Sequence, residues 1–223
     1  MTADPREPGR ERQPERSWYR YADRLLPARE SAGRWVDIGC GRGEFLELAE
    51  QSGHLGFGLD LEREGLRGLR QSGRPVVVAD VGETLPFQDA SLDGVALVEV
   101  IEHIVRAEAL LLELARVIRP GGWIVITTPN IAHVTYRIRA LTGHPPKQEG
   151  YHYRFFTRRT LAKALAEAGF APEDTASFGK SLVRTKWGRL MGKGARYKVR
   201  YQVPRGLEAL LAQHFVWRFR REP

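Results

Sequence analysis

The chain has 223 residues, 42% apolar and 28% charged, which suits one α/β domain with a full core and is short for two. No apolar run approaches the roughly 18 residues that suggest a membrane span, and a single cysteine, Cys40, excludes an internal disulfide. The net charge of +8 is uneven: from Lys180 onward there are twelve Lys or Arg against two Glu, so the preceding part is slightly acidic.

Residues 1–16 (MTADPREPGRERQPER) are charged and proline-rich with no apolar stretch, which predicts a disordered tail and no secretory signal. With the lone cysteine, this makes a cytoplasmic location the expectation. Residues 17–223 read as one domain with a basic segment from about 180. Ser17–Ala28 predicts a short helix, broken near Pro27, whose Trp18, Tyr19 and Tyr21 would lid or anchor. Arg34–Ile38 is a strand running into a glycine turn, and Glu44–Gln51 is a helix stopped at Gly53. Leu55–Leu59 is a second strand, Glu62–Gln71 a helix and Pro75–Ala79 a third strand. Gly94–Val98 is a fourth, Ala107–Ile118 an amphipathic helix ended by Pro120-Gly121-Gly122, and Trp123–Thr128 a fifth. Beyond Asn130 the pattern loosens to helices at Thr160–Ala168 and Leu207–His214 and a last strand at Phe215–Arg220. Buried β-branched strands alternating with helices predict βαβ units and a mostly parallel, doubly wound sheet.

The first strand and turn read VDIGCGRGEFL, with Gly39, Gly41 and Gly43 spaced G-x-G-x-G. A dinucleotide fingerprint would carry a third glycine where Glu44 stands. A carboxylate in the first helical turn suits the helix dipole but repels a phosphate in that space. Asp37 adds a second negative charge. The turn therefore suits a ligand with a cationic end and no phosphate, such as S-adenosylmethionine. Here the chain resembles the class I S-adenosylmethionine-dependent methyltransferases over roughly residues 30–172.

That resemblance implies a Rossmann-like, seven-stranded sheet with one antiparallel strand near the C-terminus. It places the donor against Asp37, Gly39, Cys40, Gly41 and Gly43. Asp60, 21 residues after Gly39, matches the acid that holds both ribose hydroxyls, with Leu61 beside it. Asp80 matches the acid that accepts from the adenine amino group, with the Val81 backbone beside the ring. Val98 ends the fourth strand under the donor. LPFQDASLDGVALVEVIEH and RPGGWIVITTPN match the later motifs in order. Cys40, in the turn, reads as a packing residue.

Acceptor signals are sparser. Glu99, Glu102 and His103 (VEVIEH) fall on one face if the stretch makes a helical turn. An E-x-x-E-H run also occurs in quinone-biosynthesis O-methyltransferases and in terminal-ribose methyltransferases of small RNAs, where it is associated with a divalent metal. Three readings stay open: Mg²⁺ or Mn²⁺ held by Glu99, Glu102, His103 and His152; a catalytic role, with His103 as general base beside Glu99 and His152; or packing. Thr127-Thr128-Pro129-Asn130 closes the fifth strand as an acceptor wall or a turn. The aromatics of YHYRFF could roof an acceptor or cap the sheet.

The basic segment SLVRTKWGRLMGKGARYKVRYQVPR interleaves cations with apolar residues. It could lie on an anionic membrane, track a nucleic-acid backbone, or form a solvated hairpin between strands. Nucleic acid fits least, because the rest of the chain has no basic excess. The expected activity is O-methylation of a small-molecule acceptor, a phenol or quinone precursor or a sugar or natural-product hydroxyl. The alternatives are an RNA 2′-hydroxyl methyltransferase and a donor-binding module without catalysis.

Overall fold

The computed structural model describes residues 26–27, 33–82, 84–145, 152–184 and 196–223, with backbone alone for 180–184 and 196–201. The expected tail, and all of the Ser17–Ala28 helix except Leu26 and Pro27, lie outside the described residues. In chain order the elements are β1 (Arg34–Ile38), α1 (Glu44–Gln51), β2 (Leu55–Asp60), α2 (Arg63–Gln71), β3 (Val76–Val78) and β4 (Leu92–Val98). A 3₁₀ turn (Ile101–His103), α3 (Ala107–Val117), β5 (Ile118–Pro129), α4 (Val134–Leu141) and α5 (Arg158–Glu167) follow. The chain closes with β6 (Phe170–Arg184), β7 (Arg196–Gln202), α6 (Glu208–Leu211) and β8 (His214–Arg221).

The strands form one sheet in the order β3-β2-β1-β4-β5-β8-β6-β7. Strands β1 to β5 are parallel, and β8 runs antiparallel between β5 and β6. This is the expected seven-stranded, doubly wound sheet with one antiparallel strand, to which β7 adds an eighth at the edge. Strand order reverses between β1 and β4, and such a switch point opens a crevice at the carboxyl ends of the strands.

Alternation along each strand splits the core in two. Val36, Leu97, Ile126 and Phe215 pack with Leu110, Leu111 and Leu114 of α3 and Leu161 and Leu165 of α5. Their neighbours Trp35, Ala96, Val125 and Val216 pack on the opposite face with Phe45 and Ala49 of α1. Each fully buried leucine contributes about 1.5–3 kcal/mol over leaving it in water. Among the described residues, no helix is long and apolar enough to cross a membrane.

Two local expectations are corrected, and one strand is added. Pro120-Gly121-Gly122 does not precede β5 but lies inside it, where pairing with β4 shifts register between Leu92 and Gly94. Gly121 adopts φ 74, and a side chain at Gly122 would meet the Asp93 carbonyl at 2.7 Å, so glycines are needed for the irregularity. The strand β6 follows α5 directly, although Pro172 and its polar neighbours disguise it; a register shift between Pro172 and Asp174 absorbs the proline. The helix expected at Leu207–His214 shortens to Glu208–Leu211, because Ala212 is already extended ahead of β8. The basic segment is a hairpin in its backbone, β6 pairing with β7 from Phe178↔Gln202 to Arg184↔Arg196, with residues 185–195 outside the described residues.

Candidate functional site

The turn after β1 needs its glycines. Gly39, Gly41 and Gly43 have φ of 69, 51 and 82, conformations that strain residues with a Cβ. A Cβ on Gly39 would also lie 2.5 Å from Val100 Cγ2. Gly39 N–H donates to the Leu59 carbonyl at 2.7 Å, fastening the turn to β2. Asp60, at the tip of β2, accepts Gly41 N–H on Oδ2 at 2.8 Å and Glu62 N–H on Oδ1 at 2.9 Å. Each carboxylate oxygen keeps a lone pair for a ligand hydroxyl.

Asp37 is 1% exposed, and its Oδ2 has no hydrogen-bond partner. Burial, reinforced by the carboxylates of Asp60 and Glu44, pushes its carboxyl well above the usual carboxylate range. A buried polar atom left unsatisfied beside a ligand crevice marks a place for a donor or a cation. Asp80, at the tip of β3, is exposed and accepts Gly82 N–H at 2.8 Å, with Val81 half-buried next to it. Leu61 is 65% exposed. These acids stand at the tips of three neighbouring strands and beside a glycine turn, with Glu44 heading α1. The set fits S-adenosylmethionine, which carries an ammonium, a sulfonium, ribose hydroxyls and no phosphate.

Two of the expected donor contacts turn inward. Cys40 is wholly buried, packs with Leu46, Leu66 and Leu69, and burial raises its thiol far above an ordinary one. Val98 is 4% exposed and packs among Phe45 and Val125. Their side chains are core, which leaves only their backbones to the crevice.

Beyond the donor acids, the tips of β4 and β5 carry two separate acid–histidine groups. Glu99 has φ 58, a rare conformation for a non-glycine residue. The Thr127 hydroxyl accepts Glu99 N–H at 3.0 Å and donates to Glu99 Oε1 at 2.8 Å. His214 Nε2 lies 3.1 Å from Glu99 Oε2. Glu102 is 2% exposed and accepts from the Thr128 hydroxyl at 3.1 Å. Burial, then the charge of Glu99, pushes the Glu102 carboxyl up to about 8.

The Glu102 carbonyl accepts the N–H groups of Tyr153 and Arg154 at 2.9 and 3.0 Å, which brings His152 to His103. Their rings meet edge-on at 4.7 Å. Glu102, His103 and His152 each offer a ligand atom, all within 4.8 Å of one another. Glu99 is not in that group. The expected helical turn is a 3₁₀ turn that starts after Glu99, and the left-handed φ sends its carboxylate to Thr127 instead.

Asn130 is structural. Its amide nitrogen donates to the carbonyls of Glu208, Ala209 and Ala212, which fastens α6 to the tip of β5. His133 caps α4, its Nδ1 accepting Thr135 N–H at 3.3 Å. Burial, then the neighbouring His214, lowers its pKa. The sequence offered no sign of His214, a histidine opening a strand 115 positions after its partner Glu99.

The chain matches the family described as "Methyltransferase domain" over residues 10–175. It is 32% identical over 166 residues to the "Probable S-adenosylmethionine-dependent methyltransferase" of Mycolicibacterium smegmatis, covering 72% of this chain. The match covers 62% of that protein, so the chain spans less than two thirds of this relative. It is 26% identical over 167 residues to the ubiquinone biosynthesis O-methyltransferase of Thiobacillus denitrificans, covering 70% of this chain and 71% of that one. A crystal structure of an S-adenosylmethionine-dependent methyltransferase from Thermotoga maritima shares the fold, with TM-score 0.65, 20% identity and coverage of 92% and 88%.

Proposed function

The chain belongs to the class I S-adenosylmethionine-dependent methyltransferases, and on that premise we propose that it methylates a hydroxyl of a small-molecule acceptor. The donor supplies a methyl group already activated on sulfonium, so the protein's task is to align the acceptor and manage its proton. In this reading Asp60 takes the ribose hydroxyls, Asp80 the adenine amino group, and Asp37 with the glycine turn the ammonium end. The observation that carries the acceptor half is the pair of acid–histidine groups at the tips of β4 and β5. A hydroxyl, unlike a neutral amine, needs a proton acceptor or charge stabilisation before it attacks. The ubiquinone-biosynthesis O-methyltransferase among the relatives supports the same acceptor class.

A second reading is favoured by Glu102, His103 and His152, whose ligand atoms lie within 4.8 Å. One carboxylate and two imidazoles suit Mn²⁺ or a later divalent ion better than Mg²⁺. An ion there would displace the Glu102 proton and polarise an acceptor hydroxyl. Calorimetric titration with Mn²⁺ checks it: one site in the wild type, lost in His152→Ala, supports the reading, and no binding removes it.

The acceptor class is tested by transfer of labelled methyl to phenols, catechols, sugars, lipid extracts and RNA. Methoxy products from phenols or sugars are expected. Transfer to RNA alone, or to nitrogen alone, would contradict the proposal.

A further inference from the structure

We infer that Glu99 is the carboxylate that faces the transferring methyl group, and that His214 is the residue that positions it there. This deepens the methyl-transfer reading and rests on it. The two glutamates of the E-x-x-E-H run serve opposite faces of the sheet. Thr127 follows the alternation of Val125, which packs on the α1 face, and Thr128 that of Ile126, which packs on the α3 face. Glu99 is bound to Thr127 and Glu102 to Thr128. The glycine turn leads into α1, so Glu99 borders the crevice on the side of the turn and Glu102 borders it on the side of α3.

Its neighbours fix the position further. Glu99 directly follows β4, which pairs with β1, the strand that ends in the turn. The next residue, Val100, presses on Gly39 so closely that a Cβ there would lie 2.5 Å away. The Glu99 side chain is 28% exposed, unlike the sealed Glu102. A left-handed φ of 58 on a glutamate costs free energy and persists only where surrounding contacts enforce it. Those contacts are the Thr127 hydroxyl on one carboxylate oxygen and His214 on the other. His214 pairs with Pro129 at the very tip of β5, so β8 delivers it to the crevice as the strand begins. The result is a carboxylate held by two partners at the edge of the crevice that a sulfonium methyl group would enter.

Two donor analogues test this without an acceptor. S-adenosylhomocysteine lacks the methyl group and its charge. Sinefungin carries an ammonium on carbon at that position. If Glu99 faces the methyl group, the wild type binds sinefungin about 10- to 100-fold more tightly, the value of one charge-assisted hydrogen bond. Glu99→Gln should bring the two affinities within about threefold while S-adenosylhomocysteine binding barely moves. His214→Phe should do the same, and His214→Gln, which keeps a donor toward Glu99, should recover part of the preference. Glu102→Gln, on the other face, should retain it. No preference in the wild type, or an undiminished preference in Glu99→Gln, would overturn the inference. Binding of neither analogue by the wild type would instead remove the donor reading itself. Melting temperatures identify any variant that fails to fold, and Glu99→Gln alone decides if His214→Phe is one.

Discussion

Thr127 and Thr128 are adjacent in β5, yet their hydroxyls bind different glutamates on opposite faces of the sheet, Glu99 at 2.8 Å and Glu102 at 3.1 Å. One step along a strand thus separates an open carboxylate beside the glycine turn from a sealed one beside two histidines.

Glu102 should make the stability of the fold depend on pH. Its folded pKa, about 8, lies above the ordinary carboxylate value of 4.5, so the folded state holds a proton that the unfolded state loses. Stability is therefore undiminished below the ordinary value and falls as pH rises between 4.5 and about 8. Glu102→Gln removes the penalty while keeping the shape. Relative to the wild type it should melt at equal temperature near pH 4 and on the order of 10 °C higher at pH 8. Melting curves across that range check it; a constant difference would show that Glu102 titrates in the fold as it does in the unfolded chain.

Asp37 couples pH to the donor. Burial raises its carboxyl above the ordinary range, so between those two values the ligand-free protein holds its proton. A cationic ligand end favours the ionised form. Binding of S-adenosylhomocysteine should release a proton in that window, and affinity should rise with pH through it. Titrations in buffers of different ionisation enthalpy measure the release directly, and Asp37→Asn should abolish it. Equal heats in all buffers for the wild type would contradict the coupling.

Gly39→Ala meets two obstacles, a left-handed backbone and a Cβ 2.5 Å from Val100 Cγ2. Together they should cost about 2–4 kcal/mol, of which the backbone share is about 1–2. Val100→Ala in the same chain should recover the steric share and leave the backbone share. Denaturant unfolding of both single variants and the double variant measures that coupling, and strict additivity would deny the contact.

The placement of the glycine turn and the strand-end acids was legible because their signals are local. A glycine turn, a glutamate opening a helix and acids closing three strands each lie within a few residues of the element that places them. The acceptor half was not. Helical spacing put Glu99, Glu102 and His103 on one face, but the positive φ of Glu99 breaks that spacing, and nothing in VEVIEH announces it. His214 reaches Glu99 from 115 positions away, through the pairing of β5 with β8. Phe170–Arg184 concealed a strand behind Pro172, which the sheet accommodates by shifting register. Cys40 read correctly as packing, since its sulfur would lie 2.7 Å from a Cβ on Gly58, deep between α1 and β2.

The central claim is that acids at the strand tips select a sulfonium nucleoside over a phosphate-bearing one. Calorimetric titration of wild type and Asp60→Ala with S-adenosylhomocysteine, and of wild type with NAD, tests it most directly. The Asp60 carboxylate should make charge-assisted hydrogen bonds to the ribose worth about 1.5–3 kcal/mol each, so Asp60→Ala should weaken binding by about 10- to 10³-fold. Because Asp60 also holds Gly41 and Glu62, its melting temperature is recorded alongside to confirm an intact fold. NAD should show no measurable binding, since Glu44 opposes its pyrophosphate. Unchanged affinity in a folded Asp60→Ala protein, or tight binding of NAD by the wild type, would contradict the account.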